Sequence, residues 1–168
     1  LLYMETFKSL DVFVKVHRYD VLGLYKSSLQ IRQILEPDER VFYSCKIEKF
    51  NRYGFCQDRV LMLTNKHIFT MSQGQFNFNV NRKAPILNID AITVSSDPKC
   101  DELIIHSKND IDNRYRCGLN KMNIKRVLSN LLKCRNVDVK VFEVPEKKLS
   151  NYVTSKKDHE KGKYKRPS

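Results

Sequence analysis

Cysteines stand at 45, 56, 100, 117 and 134, and they are the first residues here whose chemistry could define a site. Their number is odd, no CxxC pair occurs, and none belongs to a tight Cys/His cluster. A disulfide framework and a structural zinc both need such spacing, so the pattern points to reduced thiols in a cytoplasmic setting and to no metal. His67 opens one β-rich stretch and His106 ends another. Each reads as a hydrogen-bonded structural histidine, because no nucleophile or carboxylate partner is implied at triad spacing. Asp90 and Asp101 lie beside turn residues and read as turn acceptors rather than as an acid/base pair. No GxxxxGKS/T loop is present to cradle nucleotide phosphates. These residues describe a binding protein without a cofactor rather than an enzyme.

Charge is the stronger signal. Lys and Arg number 31 against 19 Asp and Glu, a formal net charge of +12. A field of that sign favours polyanions: an anionic membrane face, nucleic acid, or the acidic surface of an actin or tubulin assembly. Base stacking needs exposed aromatics flanked by cations on a flat sheet, and only Arg82 and Lys83 come near that pattern, so nucleic acid is disfavoured. The C-terminal stretch is the most basic, with Lys147, Lys148, Lys156, Lys157, Lys161, Lys163, Lys165 and Arg166 among few apolar residues. Its composition predicts a solvated tail whose cations contact a partner.

The elements that would position these charges follow from periodicity. A length of 168 residues with 41% hydrophobic and 30% charged suits one domain with an appended segment. Apolar residues over 1–17 and 21–35 are spaced as short helices, and Glu36-Pro37-Asp38-Glu39 stops them. From Arg40 the texture turns to strands. Val41–Phe50 precedes an Asn51-Arg52-Tyr53-Gly54 turn in which Gly54 supplies a positive φ. The run Val60–Leu63 reads as buried, and Phe76, Phe78 and Val80 alternate with polar residues as a half-exposed strand should. Further strands are expected around Ile86–Val94, Leu103–His106 and Tyr115–Cys117. Leu119, Met122, Val127, Leu128, Leu131 and Leu132 then form a helical stripe expected to plug the core, and Val137, Val139 and Val141 alternate as a last strand. Strands followed by one amphipathic helix suit a small antiparallel barrel or sandwich. The expected division is 1–37 as a helical extension, 38–144 as the main domain, and 145–168 as the basic tail. No apolar run approaches the roughly 18 residues that a membrane span needs. Nothing in the pattern signals a homo-oligomer.

Lys46-Ile47-Glu48-Lys49-Phe50-Asn51-Arg52-Tyr53-Gly54-Phe55, followed by Asp58-Arg59-Val60-Leu61-Met62-Leu63-Thr64-Asn65, resembles the tail-homology domain of class I myosins. Ile86-Leu87-Asn88-Ile89-Asp90-Ala91-Ile92-Thr93-Val94-Ser95 and Asp101-Glu102-Leu103-Ile104-Ile105-His106 are similar to two later blocks of that family. The blocks occur in family order across residues 38–142. The sequence starts at Leu1 and holds no motor signature, so the resemblance implies a tail fragment or a free-standing relative.

The resemblance implies an α+β, mainly β fold: a pleckstrin-homology-like antiparallel barrel or sandwich capped by a C-terminal helix, with helical segments before it. It also implies peripheral binding to anionic lipids, phosphoinositides in particular, linking membrane to cytoskeleton. The positions matching the family's phosphate-binding cations are Lys49, Arg52 and Arg59, with Lys46 as a neighbour. Where lipid-binding members tend to carry a second basic residue two positions before the strand arginine, this sequence has Gln57, followed by Asp58. A second expectation therefore stands beside the first: a scaffold within a cytoskeletal assembly such as an axonemal microtubule, with lipid binding lost. The location is cytoplasmic under either reading, at a membrane or on a filament, including those of a cilium or flagellum.

Overall fold

The computed structural model describes residues 20–168; the apolar stretch over 1–17 lies outside them. Two short helices, α1 (Leu24–Ser27) and α2 (Leu29–Ile34), precede the sheet. Ser28 starts α2 by accepting the Ile31 amide proton at 3.2 Å. The strands are β1 (Val41–Phe50), β2 (Cys56–Thr64), β3 (His67–Gln73), β4 (Phe78–Pro85), β5 (Ile89–Ser95), β6 (Glu102–Ser107) and β7 (Asn113–Arg116). Helix α3 (Lys121–Lys133), strand β8 (Lys140–Val144) and a short helix α4 (Lys156–Glu160) complete the chain.

The sheet order is β4-β3-β2-β1-β7-β6-β5-β8, antiparallel throughout except for the parallel β5–β8 pair. Alternation along β1 to β3 divides the side chains between two cores. Tyr43, Cys45, Ile47, Leu61, Leu63 and Ile68 point inward to the main core. Val60, Met62, Phe69 and Met71 point outward and are covered by Leu24 and Ile31 from α1 and α2. Gln30 fastens that cover by bonding both the amide and the carbonyl of Phe78.

Helix α3 buries Ile124, Val127, Leu128, Leu131 and Leu132, an i, i+3, i+4, i+7, i+8 stripe worth about 1.5–3 kcal/mol per large side chain. Leu119 and Met122 do not join the stripe as expected: they are 100% and 59% exposed. Leu119 precedes the helix in a tight turn, and Met122 falls two positions before Ile124, on the far side of the helix. Asn120, at the helix start, accepts the Tyr43 hydroxyl proton at 2.7 Å and ties α3 to the beginning of β1. The helix thus lies toward one end of the sheet. Antiparallel order puts the turns at 51–55, 74–77 and 108–112 at the other end.

The expected strand through Phe76 begins later. Phe76 sits in the 74–77 turn, and β4 starts at Phe78. Within β4, Thr70 pairs with Arg82 but Met71 pairs with Val80, so Asn81 is a bulge residue. The extra residue shifts the phase of alternation and turns Arg82 to the inner face.

The segment 145–168 is not the solvated tail its composition suggested. Leu149 is fully buried with Ile104 and Val144, and Tyr152 and Val153 pack on that cluster. Its backbone amide bonds a Glu102 carboxylate that also takes both arms of Arg114. Thr154 and Asp112 exchange bonds, amide to carboxylate at 2.8 Å and amide to carbonyl at 3.3 Å. Arg166 returns to Asp90 at 2.7 Å. A few apolar side chains and backbone pairings outweigh a lysine-rich composition.

Candidate anion-binding face

The β1–β2 turn is held by Asn51, whose side-chain oxygen accepts the Tyr53 and Phe55 amide protons at 2.9 and 3.0 Å. Gly54 takes φ 83°, a conformation that side-chain-bearing residues avoid. This turn fixes the register of the strands on either side: Lys49 pairs with Gln57, Ile47 with Arg59, and Glu48 with Asp58. Cross-strand partners share a face, so Lys49, Gln57 and Arg59 fall on the inner face, beyond Ile47. Lys46, Glu48 and Asp58 fall on the outer one.

On that inner face, at the end remote from α3, Lys49 stands among cations. Burial lowers its pKa from the ordinary 10.5, and the charges of Arg82 and Arg59 lower it further while Asp110 opposes them. Arg59 is aimed by two bonds, to the Gln57 side-chain oxygen at 2.9 Å and to the Asp58 carbonyl at 2.7 Å. Arg82 is clamped by Asp110 at 2.7 Å, the Ile111 carbonyl at 3.1 Å and Asn113 at 3.3 Å. Tyr115, opposite Lys49 on β7, closes the floor through a 3.0 Å bond to Thr70. Burial pushes its phenol up to about 12, so it stays neutral.

Of the four cations expected to converge, the structure gathers Lys49 and Arg59 on one face, with Arg52 in the adjoining turn. The Arg52 guanidinium stacks on the Tyr53 ring at 4.7 Å. Lys46 is directed to the opposite face, where it lines a groove of about 700 Å³ with Asp58, Ser72, Gln73 and Gly74, and Arg59 lines that groove too. Arg82 joins the inner group, and the phase shift at Asn81 hid it from the sequence. Gln57 orients Arg59, and Asp58 projects away from Lys49, so neither places a carboxylate on the inner face.

The basic residues of 145–168 divide along the docked segment. Lys165 pairs with Asp158 at 3.0 Å and Arg166 with Asp90, whereas Lys147, Lys148, Lys156, Lys157, Lys161 and Lys163 have exposed side chains. Thr154 docks on the 108–112 turn, which brings the lysines that follow it to the same end as Lys49.

Other reactive groups are committed to the fold. His106 bridges Thr93 at 2.7 Å and Asp112 at 2.9 Å with all three buried. Glu36, Glu39 and His67 come close enough to hold an ion. Yet Glu39 already accepts from Thr64 at 2.6 Å and meets His67 at 2.7 Å, and Glu36 pairs with Lys66. The Cys45 thiol is pushed up to about 12 by burial, which removes its nucleophilic form at neutral pH.

Residues 18–166 match the family described as unconventional myosin tail, actin- and lipid-binding. Unconventional myosin-Id of Danio rerio is 28% identical over 74 residues, covering 44% of this chain and 7% of that protein. The Homo sapiens myosin-Id is 29% identical over 73 residues, again covering 7% of its length. The chain therefore spans a small part of these relatives. The hSac2 domain of human phosphoinositide phosphatase Sac2 superposes with a TM-score of 0.57 at 14% identity, covering 77% of this chain and 91% of that one. A linker-DH/PH fragment of p115-RhoGEF gives 0.53 at 6% identity, covering 80% and 42%. These likenesses agree with a pleckstrin-homology-like fold, and the sequence match extends through the docked C-terminal segment. The chain belongs to the unconventional myosin tail family.

Proposed function

We propose that this domain is a non-enzymatic module that binds anionic phospholipid bilayers through the end of the sheet opposite α3, with phosphoinositide headgroups as its preferred ligand. The observation that carries this reading is the gathering of Lys49, Arg59 and Arg82 on one face beside Arg52, with Asp58 turned away. Diffuse attraction to a charged leaflet contributes about 1 kcal/mol per basic residue. A multiply charged headgroup adds hydrogen bonds from guanidinium and ammonium donors already held in place. The exposed lysines that follow Thr154, namely Lys156, Lys157, Lys161 and Lys163, extend the positive surface. Such a domain acts at the membrane periphery and would join it to a cytoskeletal element.

Sedimentation with vesicles tests this. Binding should rise with phosphoinositide content at matched total charge and fall as salt is added. Equal binding to zwitterionic vesicles would contradict it. The family's description also names actin, and that favours an actin filament as the surface for a filament-binding reading. Co-sedimentation with actin and no lipid preference would support that alternative.

A further inference from the structure

Tyr53, Phe55 and Phe76 are 68%, 69% and 93% exposed. Tyr53 and Phe55 belong to the β1–β2 turn and Phe76 to the β3–β4 turn, and both turns lie at the end that carries Lys49, Arg52 and Arg59. Neither turn is loose. Asn51 braces the first, and in the second the Gly74 amide bonds the Asn77 carbonyl at 2.8 Å. A β-carbon on Gly74 would meet the Asn77 side-chain oxygen at 2.8 Å, so the chain turns there in close contact. Aromatic rings on braced turns are presented without the ordering cost that a mobile loop carries.

We propose that these three rings enter the interfacial layer of an anionic bilayer while the neighbouring cations engage its phosphates, an inference that rests on the membrane-binding reading above. The occupant follows from charge. The Arg52 guanidinium lies against the Tyr53 face in the turn that also carries Phe55, and Phe76 lines a groove with Lys46. An amphipathic ring with cations beside it suits the headgroup boundary, where one side is apolar and the other wet. Diffuse attraction fades with salt, whereas ring burial does not, so insertion would keep the domain bound when charges are screened.

The chain contains no tryptophan, so one introduced indole reports on one position. Phe76→Trp and Phe55→Trp, with Leu119→Trp as a control at the opposite end, would be titrated with phosphatidylserine–phosphoinositide vesicles carrying brominated acyl chains. The expected result is a blue shift and quenching for the two turn positions and neither for Leu119→Trp. In parallel, Phe55→Ser/Phe76→Ser should lose at least about tenfold in affinity, with the deficit persisting at high salt. Vesicle sedimentation without any shift or quenching at Phe55→Trp and Phe76→Trp would overturn insertion and leave the electrostatic reading standing. Quenching at Leu119→Trp alone would overturn it too, by reversing the orientation. Failure of every variant and of the parent chain to sediment would overturn both readings.

Discussion

Arg59 faces the same side of the β1–β2 hairpin as Lys49, and the residue between Arg59 and Gln57 faces the other. The pairings Lys49 with Gln57, Ile47 with Arg59 and Glu48 with Asp58 make this a property of register. A one-residue slip would exchange the faces and set Asp58 where the arginine now stands. The hairpin turn at Asn51–Phe55 is therefore as much a part of the proposed anion-binding face as the cations are.

Lys49 gives the face a pH limit. Its pKa lies below 10.5 because burial and the charges of Arg82 and Arg59 disfavour the ammonium. While the group is protonated in both folded and unfolded states, that penalty weighs on the fold. It is relieved as pH rises through the lowered pKa toward the unfolded value. Anion binding has the opposite sign: it needs the proton and is lost over that interval. Affinity for anionic vesicles should fall on the alkaline side before an ordinary lysine would titrate. Lys49→Arg, which stays protonated, should flatten that limb in a pH series of sedimentation assays.

Arg82 tests whether the bulge at Asn81 matters. Arg82→Ala removes one cation from the inner face and frees Asp110, which also acts on Lys49. Vesicle affinity should drop about fivefold for the lost charge. Hydrogen exchange in 108–112 should quicken as the three bonds that held the turn disappear. Unchanged affinity would assign Arg82 to turn stability alone.

Docking of 145–168 predicts a stability effect that a solvated tail would not show. Leu149→Ala empties a buried site against Ile104 and Val144 and should cost about 2–5 kcal/mol in a urea unfolding series. Removing residues 146–168 should destabilise further, since Glu102 and Asp112 would each lose a backbone donor inside the structure. A truncated chain as stable as the full one would contradict the docking.

Much of this was legible before any coordinates. The strand-then-helix order, the glycine turn and a hydrogen-bonded His106 follow from spacing and composition, and the family blocks from a sequence resemblance. What periodicity could not carry were the places where phase or composition misleads. Asn81 adds a residue within β4 and moves Arg82 to the inner face, an event with no signature in alternation. Met122 fits an apolar stripe on paper but lies on the wrong side of α3 from Ile124. In 145–168 the lysines dominate any count, yet Leu149 and Thr154 decide where the segment goes. Asp58 is next to Arg59 in sequence, yet strand alternation sets it on the opposite face from Lys49.

The most direct measurement compares Lys49→Ala/Arg59→Ala with Lys46→Ala in sedimentation with phosphoinositide vesicles at moderate salt. Two inner-face charges at about 1 kcal/mol each predict roughly a 30-fold loss for the double variant before any specific bonds are counted. Lys46, on the outer face, should cost only its single diffuse share, about fivefold or less. Equal losses for the two variants, or an undiminished double variant, would contradict the inner face as the binding surface.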